Sequence, residues 1–132
     1  MMSRGRAVAI ALGAVAGAGL RWVVTTAAGS GGTDASLLVV NVLGTAVLAL
    51  FASEHPWRIP TRARALLTAG FCGAVTTWSS LAVRTASELD RGRLAAPLGW
   101  LLVNLAAGIA VAAVVRSAMQ RRAGADSHRG TP

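Results

Sequence analysis

The chain has 132 residues, is 54% hydrophobic and only 14% charged, where a soluble domain of this size normally carries about 25% charged residues. Its net charge of +8 comes entirely from arginine, and in a soluble protein such an excess would point to nucleic acid. Here the arginines punctuate apolar runs, as loops between membrane spans do, which excludes the nucleic-acid reading. Cys72 stands alone, so no intrachain disulfide can form and the redox compartment stays open.

A helix rising about 1.5 Å per residue needs about 20 apolar residues to cross about 30 Å of hydrocarbon. Four stretches meet that requirement, which predicts an all-α integral membrane protein. The first runs over about 7–26, from Ala7 to Thr26. Arg4 and Arg6 precede it as they would precede a secretory signal. The run is too long for a signal's apolar region, however, and three similar runs follow it. Gly13 and Gly17 form a G-x-x-x-G pattern in it, with Gly19 close behind. Such small residues allow the close backbone approach on which helix association in lipid depends. Because four short helices enclose little interior, oligomerisation is the expectation.

A Gly-rich turn from Gly29 to Asp34 leads to the second span, about 36–53. A loop bearing proline and arginine, Glu54 to Arg64, leads to the third, about 65–83. A short charged loop, Glu88 to Arg93, leads to the fourth, about 97–117. The transmembrane domain thus covers 1–119, and 120–132 reads as a polar, disordered tail.

With four spans, both ends of the chain and the middle loop share one side of the membrane. That side carries Arg4, Arg6, Arg58, Arg62, Arg64, Arg116, Arg121, Arg122 and Arg129. The opposite loop has Arg91 and Arg93, with Arg21 and Arg84 near helix ends. The positive-inside rule places both termini in the cytoplasm.

None of the five acidic residues, and neither histidine, falls well inside a span. A proton-coupled antiporter of this size needs a titratable group at depth, so that class is disfavoured. Arg21 lies near the end of the first span. There it either snorkels to the headgroups or places positive potential at the mouth of an anion path. The other polar residues in the spans are neutral donors: Asn41, Thr45, Thr76, Thr77, Ser79, Ser80 and Asn104. Hydroxyls can bond back to a carbonyl one turn earlier, but an amide at depth needs a partner across helices or access to water. Gly70 to Ser80 joins two glycines to a run of hydroxyls, which predicts a broken third helix. Such backbone is tolerated at that depth where it is buried in protein or lines a cavity, and freed carbonyls there can bind a cation. No nucleophile–base pair, metal-ligand cluster or phosphate loop is present, so the chain is not read as an enzyme.

The segment Gly70-Phe-Cys-Gly-Ala-Val-Thr-Thr-Trp-Ser-Ser80 resembles the third-helix signature of the Fluc (CrcB) fluoride channels, G-F-C-G-G-x-T-T-F-S-T-F. Val40-Asn41-Val42-Leu43-Gly44-Thr45 looks like that family's second-helix V-N-x-x-G-[ST], and Gly17-x-Gly19-x-Arg21 like the end of its first helix. The likeness covers all four spans in order. It implies a small channel in the cell membrane through which fluoride leaves the cytoplasm passively, reducing fluoride toxicity. It also implies an antiparallel, dual-topology dimer with a structural sodium ion at its centre, held by backbone carbonyls. By motif position these belong to Gly73 and Thr76. Asn41, Thr77, Trp78, Ser80, Leu81 and Asn104 would line the anion path. The chemistry is compatible, because a small, strongly hydrated anion must exchange water for many hydrogen-bond donors.

Two departures matter. The family's paired pore phenylalanines fall at Trp78 and Leu81, and leucine has no positive ring edge to offer an anion. The arginine asymmetry also commits the chain to one orientation, whereas an antiparallel homodimer needs both. Both features favour pairing with a homologous, oppositely inserted subunit over self-pairing. The alternatives are a pore-deficient subunit that supports its partner's pore and, less favoured, a small coupled transporter.

Overall fold

The structure is a computed structural model. It describes the backbone of residues 3–29, 34–52 and 59–129, with side chains as far as 122. Most of the Gly-rich turn, and Glu54, His55 and Arg58 of the middle loop, lie outside the described residues. Among the described residues there are only helices: α1 (Arg4–Ala27), α2 (Asp34–Ala52), α3 (Thr61–Ala65), a π-helical segment (Leu66–Cys72), α4 (Gly73–Val75), α5 (Trp78–Asp90) and α6 (Ala95–Arg129). They form four units long and apolar enough to cross a membrane: Arg4–Ala27, Asp34–Ala52, Thr61–Asp90 and Ala95–Arg122.

The third unit begins and ends beyond the predicted 65–83, because the helix continues through its polar ends. It is not uniform along its length. The π-helical turn widens its first half, and the chain bends where Thr76 (φ −73°, ψ 149°) and Thr77 (φ −143°, ψ 100°) take extended dihedrals. Thr77 then caps α5, its hydroxyl oxygen accepting from Ser80 N at 3.2 Å.

The tail differs from expectation. The backbone of 120–129 is helical, a continuation of α6, which at 35 residues is about 52 Å long. The segment Met119-Gln-Arg-Arg-Ala123 consists of good helix formers and contains no proline, so nothing stops the helix where the apolar run ends. Residues 130–132 lie outside the described residues.

The helices pack through glycine. α1 lies along the π-helical segment and α4, while α2 packs against α6 and the first half of the third unit. A Cβ at Gly13 would run into the Leu66 carbonyl, one at Gly17 into the Phe71 carbonyl, and one at Gly70 into the Ile10 carbonyl. The G-x-x-x-G pattern of α1 is therefore used inside the chain, as a seat for the widened turn. It is not left free for another subunit. Gly44 gives the same close approach between α2 and the methyl of Thr76. By contrast, only 6% of the apolar stretch of α6 is buried within the chain, leaving the rest to lipid or a second subunit.

Candidate functional site

The bend in the third unit is tied to α2 and α6 by side-chain amides. Asn41 Oδ1 accepts from Thr77 N–H at 2.8 Å, and Asn41 Nδ2 donates to Asn104 Oδ1 at 3.0 Å. Asn104 Nδ2 donates in turn to the Trp100 carbonyl at 2.9 Å. Thr77 Oγ1 and Ser80 Oγ share a hydrogen bond of 2.8 Å. Thr77 and Asn104 are buried, at 3% and 8% exposure. Both asparagines thus find the cross-helix partners that burial in apolar surroundings demands. Thr45 and Thr76 follow the simpler course, donating to the carbonyls of Asn41 and Cys72 one turn earlier, each at 2.8 Å.

Two backbone amides are diverted by this arrangement. In a continuous α-helix, Thr77 N–H would serve the Gly73 carbonyl and Ser80 N–H the Thr76 carbonyl. Here the first donates to Asn41 and the second to the Thr77 hydroxyl. Carbonyl oxygens relieved of their helical donors are candidate ligands for a hard cation. Among the described residues no group of three His, Cys, Asp or Glu side chains converges, so a cation here would rest on backbone oxygen. A Cβ added at Gly73 would meet nothing within 4 Å, so its backbone is open to approach from outside the chain.

Of the residues singled out in the sequence, Asn41, Thr77, Ser80 and Asn104 come together, with Thr76 adjoining and Gly73 one turn earlier. Trp78 makes none of these hydrogen bonds and is 68% exposed. Leu81 is 2% exposed, one turn beyond Thr77. Arg21 lies near the end of α1, half-buried, with its carbonyl accepting from Thr25 Oγ1 at 2.8 Å. Among the described residues no hydrogen bond links Arg21 to the cluster. The reading of isolated residues missed Trp100, because its contribution is a backbone carbonyl. It also missed the ion pair between Arg84 Nε and Asp34 Oδ1 at 3.1 Å. Their opposite charges at facing helix ends were the available signal.

The arrangement offers neutral donors and carbonyl oxygens where α2, α5 and α6 meet, which fits passage or binding of an ion. The profile of the family described as "CrcB-like protein, Camphor Resistance (CrcB)" matches residues 8–116. The chain is 36% identical over 123 residues to "Fluoride-specific ion channel FluC 2" of Parasynechococcus marenigrum (strain WH8102), covering 93% of this chain and 87% of that protein. It is 42% identical over 105 residues to the FluC 2 protein of Synechococcus sp. (strain CC9605), covering 80% and 74%. It is 40% identical over 109 residues to "Fluoride-specific ion channel FluC 1" of Halobacterium salinarum (strain ATCC 700922 / JCM 11081 / NRC-1), covering 80% and 87%. A profile match across most of the spans and relatives this similar over most of their length place the chain in the CrcB family.

Proposed function

We propose that this chain is a subunit of a fluoride-selective channel that lets fluoride leave the cytoplasm down its electrochemical gradient. The observation that carries the reading is the part-buried cluster of Asn41, Thr77, Ser80 and Asn104, which joins α2, α5 and α6 through neutral donors. Such donors can stand in for water around a small anion without holding it as tightly as a full cation would. The names of the relatives supply fluoride as the ion. The chain would sit in the cell membrane as a multi-pass subunit with both termini in the cytoplasm, as the arginine distribution favours.

The channel would be an antiparallel dimer. A structural sodium ion would rest at its centre on the carbonyls of Gly73 and Thr76, whose helical donors are diverted and whose backbone is open at Gly73. A hard cation held by those two carbonyls would offset their partial negative charge. The partner is a homologous subunit inserted the opposite way, which the fixed arginine bias favours over a second copy. A second reading has support of its own. Leu81 is a buried aliphatic residue where the family pattern has an aromatic one, so the chain could serve mainly to complete its partner's pore.

Growth on fluoride tests the reading. In a bacterium stripped of its own fluoride exporter, the chain co-expressed with an oppositely inserting homologue should restore growth, and Asn41→Ala should reduce the rescue. A well-expressed, membrane-located pair that gives no rescue would refute it.

A further inference from the structure

The arginines at the two ends of the third unit differ in their partners. In α5 and the loop after it, Arg84 meets Asp34 at 3.1 Å, while Arg91 and Arg93 both meet Glu88, at 2.6 and 3.1 Å. At the other end, Arg4 and Arg6 open α1 and Arg62 and Arg64 lie in α3. Among the described residues no carboxylate pairs with any of these four. The first turn of α1 holds no acidic residue either, and positive charge at a helix N-terminus is unfavourable. Arg4 and Arg6 therefore do not stabilise the helix that carries them.

Arg62 crosses from α3 to lie on α1. A Cβ at Gly5 would come within 2.9 Å of its Cζ and 3.2 Å of its Nη2. The missing side chain at Gly5 leaves the seat in which the guanidinium rests, with Arg4 and Arg6 the neighbours of Gly5 in the chain. All three arginines are exposed. Like charges gathered there repel one another unless an anion lies among them. At 24 residues α1 is about 36 Å long, longer than the roughly 30 Å of hydrocarbon it crosses. Its first residues and the start of α3 therefore stand at the level of the lipid headgroups.

We propose that Arg4, Arg6 and Arg62, gathered at Gly5, bind the phosphate of an anionic phospholipid, which ties the start of α1 to the start of the third unit. Guanidinium groups suit this ligand because their fork of donors matches phosphate oxygens. The proposal stands apart from the channel reading, and it differs from a role in setting orientation, which depends on charge alone and not on where Arg62 rests.

The full chain in a neutral detergent is titrated at low salt with phosphatidylglycerol or phosphatidylcholine, and bound lipid is counted by native mass spectrometry. The wild type should retain phosphatidylglycerol preferentially. Arg62→Gln should lower that preference about fivefold, as loss of one arginine near a charged membrane surface does. Arg121→Gln removes the same charge from α6, which packs against α2 and α5, and should leave the preference unchanged. Gly5→Leu keeps the net charge but fills the seat, and should act like Arg62→Gln; Gly5→Ala takes its place if the leucine variant does not fold. Phosphatidylglycerol should also raise the melting temperature of the wild type, whereas inorganic phosphate alone should not. No preference in the wild type would overturn the proposal. So would equal losses in Arg62→Gln and Arg121→Gln, or an unchanged preference when Gly5 is filled, because the patch would then be diffuse charge. An equal rise in melting temperature with inorganic phosphate would assign the seat to a soluble anion and overturn the lipid.

Discussion

Asn41 serves two elements at once, accepting from Thr77 N–H at 2.8 Å and donating to Asn104 Oδ1 at 3.0 Å. Asn41→Ala removes both bonds and strands a buried amide, since Thr77 is 3% exposed. Such a loss costs about 1–3 kcal/mol per group in a soluble interior. In a membrane a cross-helix bond averages about 0.6 kcal/mol, because the unfolded chain finds other partners. The expected destabilisation is therefore about 1–3 kcal/mol in total. Asn41→Asp separates the two roles. The new carboxylate still accepts from Thr77 N–H but cannot donate to Asn104, whose amide would have to flip and abandon the Trp100 carbonyl. A double-mutant cycle of Asn41→Ala with Asn104→Ala, read by reversible unfolding in mixed micelles, should give a coupling of about 0.5–1.5 kcal/mol. A cycle that closes to zero, with Asn41→Ala costing under about 0.5 kcal/mol, would refute the reasoning that this amide holds the bend.

Other perturbations test other parts of the account. Gly13→Ala and Gly70→Ala place a Cβ against the backbone of the facing helix and should each destabilise the fold by about 1–3 kcal/mol in the same unfolding assay. Gly19→Ala and Gly99→Ala, where a Cβ meets nothing within 4 Å, should be neutral or slightly stabilising, and equal losses at all four would contradict the packing described. If the Gly73 and Thr76 carbonyls hold sodium, replacing sodium with N-methylglucamine should lower the melting temperature of the assembled dimer, and an unchanged value would remove the cation from the account. Trp78→Phe combined with Leu81→Phe should confer fluoride conduction on the chain alone if those two positions disable its own pore; continued silence of the folded protein would count against that reading. Mapping both termini of the singly expressed chain should find one orientation, and a near-equal mixture would remove the case for an unlike partner.

Much of the fold was legible because the bilayer imposes its length on the sequence. Four apolar runs separated by arginines gave the spans and their order, and the hydroxyl run after Gly70 marked the place where the third unit bends, at Thr76 and Thr77. Helix ends were less legible. Arg121 and Arg122 end an apolar run without ending a helix, since charge alone does not break one. The G-x-x-x-G of α1 was readable as a close-contact surface, but its partner was not, because the widened turn at Leu66–Cys72 that it seats has no local sequence signature. For the site, two deep amides announced a need for partners. That Asn41 would meet Asn104, 63 residues away, and reach Thr77 in the same step depends on how three helices cross. The Asp34–Arg84 pair escaped notice for the same reason, both residues having been assigned to separate helix ends.

The most direct test of the central claim is fluoride efflux from liposomes under an ionophore that clamps the voltage, with chloride followed in parallel. It should be measured for this chain alone and reconstituted with an oppositely inserting homologue. The account expects rapid fluoride efflux with chloride retained from the paired protein, and weaker or no efflux from the chain by itself. Monodisperse protein that passes no fluoride in either form, or passes chloride equally well, would contradict it.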